Sequence, residues 1–299
     1  MMCGLPGSGK SAFAERLAKE DNYIIHASDK VREELGDIND QSRNEEVFRI
    51  LHKRIKTDLL NGNNVIYDST ALSRKRRVAF LRELKNIPCE KICILMATPW
   101  ECCLAYNFAR DRQVPIEIMI NMIKRFQIPS IKEGFDRVII HYENEEWKEF
   151  YGDAEEYVKS LCDFKQDNSH HRMTLGDHMI AAGNYMLIYN GNKKDNMYYA
   201  ALTHDIGKPD VKSYMNHKKE IGTEAHYYNH SNVGCYKSLF YKYPDGIDKE
   251  YIALMIESHM KPYVEWEQSE KVRRRDVNMF GEQFCKDILM LHLADDWAH

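Results

Sequence analysis

Over the first 142 residues, short apolar runs alternate with stretches whose apolar positions recur every three or four residues. The runs 23–28 (YIIHAS), 64–69 (NVIYDS), 91–97 (KICILMA) and 135–142 (FDRVIIHY) are strand-length and rich in β-branched side chains. Between them, 45–62 (EEVFRILHKRIKTDLLNG) sets Val47, Ile50, Leu51, Ile55 and Leu59 on one helical face, with Gly62 as its stop. Strand and helix in alternation predict an α/β domain, a parallel sheet wrapped by helices. From about residue 150 the period is helical and no convincing strand remains. The pattern therefore predicts a first domain over 1–150, a linker over 151–165 and an all-α domain over 166–299. No repeat or low-complexity tract interrupts it. The longest strongly apolar run, ICILMA, is far short of the roughly 20 residues a membrane span needs.

The first candidate chemistry sits at the very start. The stretch GLPGSGKS (Gly4, Leu5, Pro6, Gly7, Ser8, Gly9, Lys10, Ser11) fits G-x-x-x-x-G-K-[ST]. Its glycines let backbone N–H groups turn inward around a β-phosphate, and the helix that follows adds its dipole. Lys10 then reaches the β- and γ-phosphates of ATP or another nucleoside triphosphate, and the Ser11 hydroxyl reaches Mg²⁺. Only MMC precedes the loop, too little for a leading strand, so the natural start is expected upstream; the abrupt end at LHLADDWAH suggests trimming there as well.

The acceptor must be read from what faces the γ-phosphate. Asp29 follows the second predicted strand, where a carboxylate can take the proton of an attacking hydroxyl; equally, Asp29 or Ser28 could cap the next helix. Asp68 ends the third strand in the same row, with a plain turn residue as the alternative. Arg110 and Arg112, just ahead of a Pro-started helix, can close over the phosphates. The basic run SRKRR (73–77) suits either a phosphate contact or a solvated helix start.

Together GLPGSGKS, SDKVREEL, YDSTALSRKRR, NFARDRQVP and IPSIKEGFDRV resemble the phage and bacterial polynucleotide 5′-kinases, over roughly residues 1–142. The resemblance implies that Asp29 is the general base toward a 5′-hydroxyl, that Arg32 contacts the acceptor and that Asp68 orients Arg32. It also implies that Arg110 engages the transferring phosphate, with Arg112 beside it. Tyr106 departs from the pattern, standing where the phage enzyme has a basic residue.

The second candidate chemistry is histidine-rich. Ten of the 13 histidines lie between 170 and 299. HDIGK follows the small-residue helix end YYAALT; HRMTLGDHMI lies upstream, and AHYYNHS, ESHMKPY and LADDWAH lie downstream. Helices can bring His178, His204, Asp205 and a terminal Asp to one metal. Imidazole with carboxylate suits Mn, Fe, Co, Ni or Zn. Residues 166–299 resemble the HD phosphohydrolase superfamily. By that likeness His178, His204, Asp205 and Asp295 (preferred over Asp296) are ligands, and His230 and His259 serve a second metal. Lys208 then holds the substrate phosphate, and His226 is left as structural or as a peripheral phosphate contact.

Charge and cysteine usage narrow the setting. The net charge of −4 excludes a polycation, so nucleic acid must be met by local basic patches. None of the 8 cysteines forms a CxxC pair, which reads as reduced thiols in a cytoplasmic protein without membrane contact. The two halves together resemble end-healing enzymes. The expected function is phosphorylation of 5′-OH ends and removal of 3′-phosphate or 2′,3′-cyclic phosphate from nucleic-acid ends, RNA before DNA, with a ligase acting downstream. Two alternatives are a small-molecule or nucleoside kinase fused to a nucleotidase, and an ATP-sensing regulatory phosphohydrolase.

Overall fold

The computed structural model describes residues 1–36, 42–169 and 172–299. The chain divides into two units. One comprises Met1–Met119 with Pro129–Glu143, and the other comprises Ile120–Ile128 with Asn144–His299.

The first unit is built on parallel strands. β1 (Met2–Cys3), β4 (Ile92–Met96) and β5 (Arg137–His141) form one sheet in the order β1-β4-β5, and β2 (Ile24–Ala27) pairs with β3 (Val65–Asp68). Cys3 lies opposite Leu95, and Ala27 opposite Asp68. The Gly4 N–H donates to the Thr70 carbonyl at 3.0 Å, tying the end of β1 to the residues just past β3. The helices of this unit are α1 (Lys10–Asp21), α2 (Ser28–Glu34), α3 (Asn44–Leu60), α4 (Arg74–Glu83) and α5 (Trp100–Phe108). α6 (Ile116–Ile123) starts in this unit and ends in the second. Burial follows the predicted face: Val47, Leu51 and Ile55 of α3 pack with Val31, Tyr67 and Phe80, and Ile50 and Leu59 border the same cluster.

A buried ion pair closes this unit. The side chains of Arg77 and Glu133 are fully buried, with Arg77 Nε and Nη2 on Glu133 oxygens at 2.7 and 2.6 Å; Arg74 Nε adds a contact at 3.3 Å. Glu133 also closes a capping box with Ser130. Removing one partner of such a pair strands a buried charge. Glu133→Ala is therefore expected to lower stability by about 3–5 kcal/mol, read as a shift in urea midpoint with an unchanged slope. A loss under about 1 kcal/mol, the range of exposed pairs, would contradict that role.

The second unit is mainly helical: α7 (Ala154–Ser160), α8 (Leu175–Tyr189), α9 (Asn196–Thr203), α10 (Lys208–Val211), α11 (His230–Ser238), α12 (Lys249–Ser258), α13 (Glu270–Phe280) and α14 (Glu282–Trp297). Side-chain oxygens of Asp153, Thr174, Asp195 and Asp248 cap α7, α8, α9 and α12. Two sequence expectations need revising here. The stretch 151–165 was expected to be a linker, yet it carries α7, whose Ala154 and Val158 are buried; a helix of only seven residues gives too little period to read. The expectation of no strand past 150 is also corrected. β6 (Ser213–Met215) and β7 (Ile221–His226) form an antiparallel hairpin. Six of its nine strand residues are exposed, so no apolar–polar alternation marked it in the sequence. Among the described residues no helix is long and apolar enough to cross a membrane.

Candidate active sites

The phosphate loop joins β1 to α1. Gly9 caps α1 in the left-handed region at φ 84°, and no side chain caps the helix, so its N-terminal end is left to an anion. Gly7 (φ 78°) lies so close to α5 that a Cβ would come within 2.2 Å of the Cys103 carbonyl oxygen. Lys10 curls back on the loop, its Nζ donating to the Leu5 carbonyl at 2.7 Å and to Ser8 Oγ at 3.3 Å. Burial lowers its pKa while Asp68 acts to raise it. A lysine resting on a carbonyl and a hydroxyl of its own loop can exchange them for phosphate oxygens.

The carboxyl ends of the strands carry the remaining groups. Ser11 Oγ donates to Asp68 Oδ2 at 2.7 Å. Arg32 donates from Nη1 to Asp29 at 2.9 Å and from Nη2 to Asn44 Oδ1 at 2.7 Å, and its buried Nε has no partner. Asp68 thus holds Ser11, not Arg32; Asp29 and Asn44 hold Arg32. The capping alternative for residues 28 and 29 is not realised, because Ala27 occupies the N-cap of α2 and no side chain bonds there. Asp29 is half exposed, with its second oxygen on Arg112 Nη1 at 2.9 Å. Arg110 is exposed on the same loop. Asn107, which sequence reasoning passed over, clamps that loop by accepting from the Val114 N–H at 3.0 Å and donating to the Val114 carbonyl at 2.9 Å. Its place one turn before two arginines was the available signal. The basic run 73–77 splits: Arg74 and Arg77 belong to the Glu133 pair, while Lys75 and Arg76 are exposed.

The second site lies among α8, α9, α11, α12 and α14. His178, His204 and Asp295 offer ligand atoms within 4.8 Å of one another, and so do Asp205, His230 and His259; all six residues are buried. Asp205 serves both groups. Its Oδ2 lies 3.4 and 3.3 Å from the Nε2 atoms of His178 and His204, and its Oδ1 lies 3.1 and 3.7 Å from those of His230 and His259. Asp295 Oδ1 lies 3.1 Å from His178 Nε2, whereas Asp296 takes a 2.6 Å bond from the Tyr263 hydroxyl. Close packing makes this possible: a Cβ on Gly207 would come within 2.2 Å of the His230 carbonyl oxygen.

The donor set fits metal. Each imidazole points Nδ1 at a carbonyl, which can only accept: Ala298 for His178, Ala201 for His204, Tyr227 for His230 and Ile256 for His259. The proton is thereby placed on Nδ1, and the Nε2 lone pairs face inward. They meet in pairs, His178 with His204 and His230 with His259, both at 3.1 Å. Two nitrogens that close are reconciled by sharing positive charge, a proton or a metal ion. The electrostatics show how strongly the two carboxylates draw positive charge to this point. Burial opposes charge on His204, yet Asp205 and Asp295 outweigh it and raise its pKa to about 10. Despite burial, neighbouring cations and His204 hold Asp205 and Asp295 well below the usual carboxylate range. Burial and the nearby His230 and His204 push His259 down to about 3. Lys208 Nζ reaches Asp205 at 2.6 Å and Gln166 Oε1 at 2.9 Å; Gln166, the first residue of the expected domain, was missed.

Comparison with known proteins fits this geometry. Residues 1–129 match a family model described as an AAA domain, and residues 175–295 match one described as an HD domain. The chain joins a P-loop kinase-like domain to an HD domain. The chain is similar to the L-seryl-tRNA(Sec) kinase of Methanococcus maripaludis, 28% identical over 142 residues, which is 46% of this chain and 55% of that protein. The chain thus spans about half the length of this curated relative. The P-loop domain implies a nucleotide with Mg²⁺, and the HD domain holds His and Asp groups able to bind metal.

Proposed function

We propose that the chain heals nucleic-acid ends, its P-loop domain phosphorylating a 5′-hydroxyl and its HD domain removing a 3′-phosphate or 2′,3′-cyclic phosphate. The observation that carries the kinase half is Asp29, a half-exposed carboxylate just past the carboxyl end of β2, held by Arg32 and Arg112. In this reading Asp29 accepts the acceptor's proton once Arg112 turns to the nucleotide, and the buried, unpartnered Nε of Arg32 faces acceptor oxygens. Lys10 and Arg110 take the charge of the transferring phosphoryl group, and Ser11 with Asp68 would hold Mg²⁺.

In the HD domain His178, His204, Asp205 and Asp295 would hold one metal, and His230 and His259 with the second oxygen of Asp205 another. Mn, Fe, Co, Ni or Zn there supplies Lewis acidity and a lowered pKa for coordinated water. Lys208 holds a phosphate oxygen, and Gln166 keeps its ammonium aimed inward.

The test is a 5′-OH, 3′-phosphate oligoribonucleotide incubated with ATP and a metal series. Asp29→Asn is expected to cut 5′-phosphorylation roughly 100-fold or more and to leave 3′-phosphate release unchanged. Near-normal kinase turnover in that variant would remove Asp29 from the role of base. The likeness to a kinase acting on seryl-tRNA supports a second reading, in which the acceptor is a hydroxyl carried on charged tRNA. Labelling of seryl-tRNA in preference to the oligonucleotide would favour it.

A further inference from the structure

The hairpin β6–β7 stands between Lys208 and His230 in the chain and takes no part in the chemistry above. Its rings are ordered against one another. His217, in the turn, lies 3.8 Å from the Tyr228 ring at 35°, and His226 lies 5.3 Å from Tyr228 at 9°. Around them, Tyr214, Met215 and Ile221 are exposed at 40%, 43% and 80%. Lys218 and Lys219 are exposed at the turn and have no acidic partner among the described residues. An isolated soluble domain gains nothing by presenting stacked rings, bare apolar side chains and unpaired cations together. Single-stranded nucleic acid requires that combination: faces for bases and ammonium groups for phosphates.

The base of the hairpin is fastened to the phosphate-holding lysine. Lys212 Nζ and the Tyr214 hydroxyl both donate to Asp167 at 2.7 Å, and the Ala225 N–H donates to the Asp167 carbonyl at 2.7 Å. The preceding residue, Gln166, accepts from Lys208. The hairpin then runs through Tyr227, whose ring lies 5.4 Å from Lys208 Nζ, into the ligand His230. A phosphate on Lys208 therefore lies at the foot of the arm.

We propose that residues 212–228 form an arm that grips the last nucleotides of a single strand, stacking bases on the His217–Tyr228–His226 rings while Lys218 and Lys219 meet the phosphodiesters. This rests on the nucleic-acid-end reading of the HD site and identifies what its substrate carries beyond the phosphate.

The test compares two substrates of the full chain: a 12-mer oligoribonucleotide with a 3′-phosphate, and p-nitrophenyl phosphate, which has no strand to grip. The K218E/K219E double variant and His217→Ala are each expected to raise KM for the 12-mer roughly tenfold at unchanged kcat. Their kcat/KM for p-nitrophenyl phosphate should stay at the wild-type value. For the double variant the salt dependence of 12-mer binding, read by fluorescence anisotropy, should flatten by about 1.4 or more in slope. Unchanged KM and slope in both variants, with the 12-mer still hydrolysed, would overturn the arm alone. Wild-type hydrolysis of p-nitrophenyl phosphate without binding or hydrolysis of the 12-mer would overturn both the arm and the nucleic-acid reading, leaving the phosphohydrolase intact.

Discussion

Replacing Asp205 with alanine is expected to strip metal from the HD domain and end phosphate release, while ATP-dependent kinase activity with Mg²⁺ persists. Among the described residues no other carboxylate reaches both histidine pairs in this way: each of its oxygens faces a different pair, at 3.3–3.4 Å on one side and 3.1–3.7 Å on the other. Removing even an outer partner of a metal ligand costs roughly 10–100-fold, so losing a carboxylate shared by both groups should exceed that range. The substitution also leaves Lys208 buried without its anion, so Asp205→Asn, which keeps the volume and one oxygen, is measured beside it. Metal content is read by mass spectrometry and folding by circular dichroism. A well-folded variant with full metal content and full hydrolysis would sink the assignment of this site.

Lys10→Ala should act on the opposite half. The Lys10 ammonium is buried, rests on a carbonyl and a hydroxyl of its own loop, and among the described residues has no carboxylate within ion-pair distance. Its charge is thus available to phosphate oxygens, most of all as charge builds during transfer. Losing such a preorganised donor costs on the order of 10³-fold in kcat, with 3′-phosphate release untouched. Single-turnover kinetics at saturating ATP separate the two effects. A variant that recovered the wild-type rate at high ATP would show that Lys10 only binds the nucleotide.

Much of this was legible in the sequence, for identifiable reasons. The α/β-then-helical order was readable because Val47, Leu51 and Ile55 repeat at helical spacing, and the four main strands are apolar runs between them. The phosphate loop was readable because its constraint is local in sequence. The histidine positions were readable as an ordered set, whereas their division into two groups bridged by Asp205 is a matter of side-chain direction that no spacing records. Gln166, Asn107 and Asn44 were missed because each acts through hydrogen bonds of an uncharged side-chain amide, which leave no pattern in the sequence. The basic run 73–77 gave no hint that Arg74 and Arg77 face a carboxylate some 56 residues away in the chain, since charge in sequence is the same whether buried or bare.

The division of the chain has a consequence for inheritance and for engineering. Ile120–Ile128 belongs with the HD domain although it lies within the stretch matched as kinase-like. There Phe126, fully buried, sits edge-on to Tyr236 at 4.9 Å, and the Ile128 N–H donates to Glu257 at 2.9 Å. A gene cut near codon 150 would give one fragment bearing an uncovered Phe126 and another whose Tyr236 and Glu257 have lost what they packed on. Neither piece is a clean module. A lineage could therefore discard one activity by a point change at Lys10 or Asp205 far more readily than by deletion, and a silenced half would persist as scaffold for the half still in use.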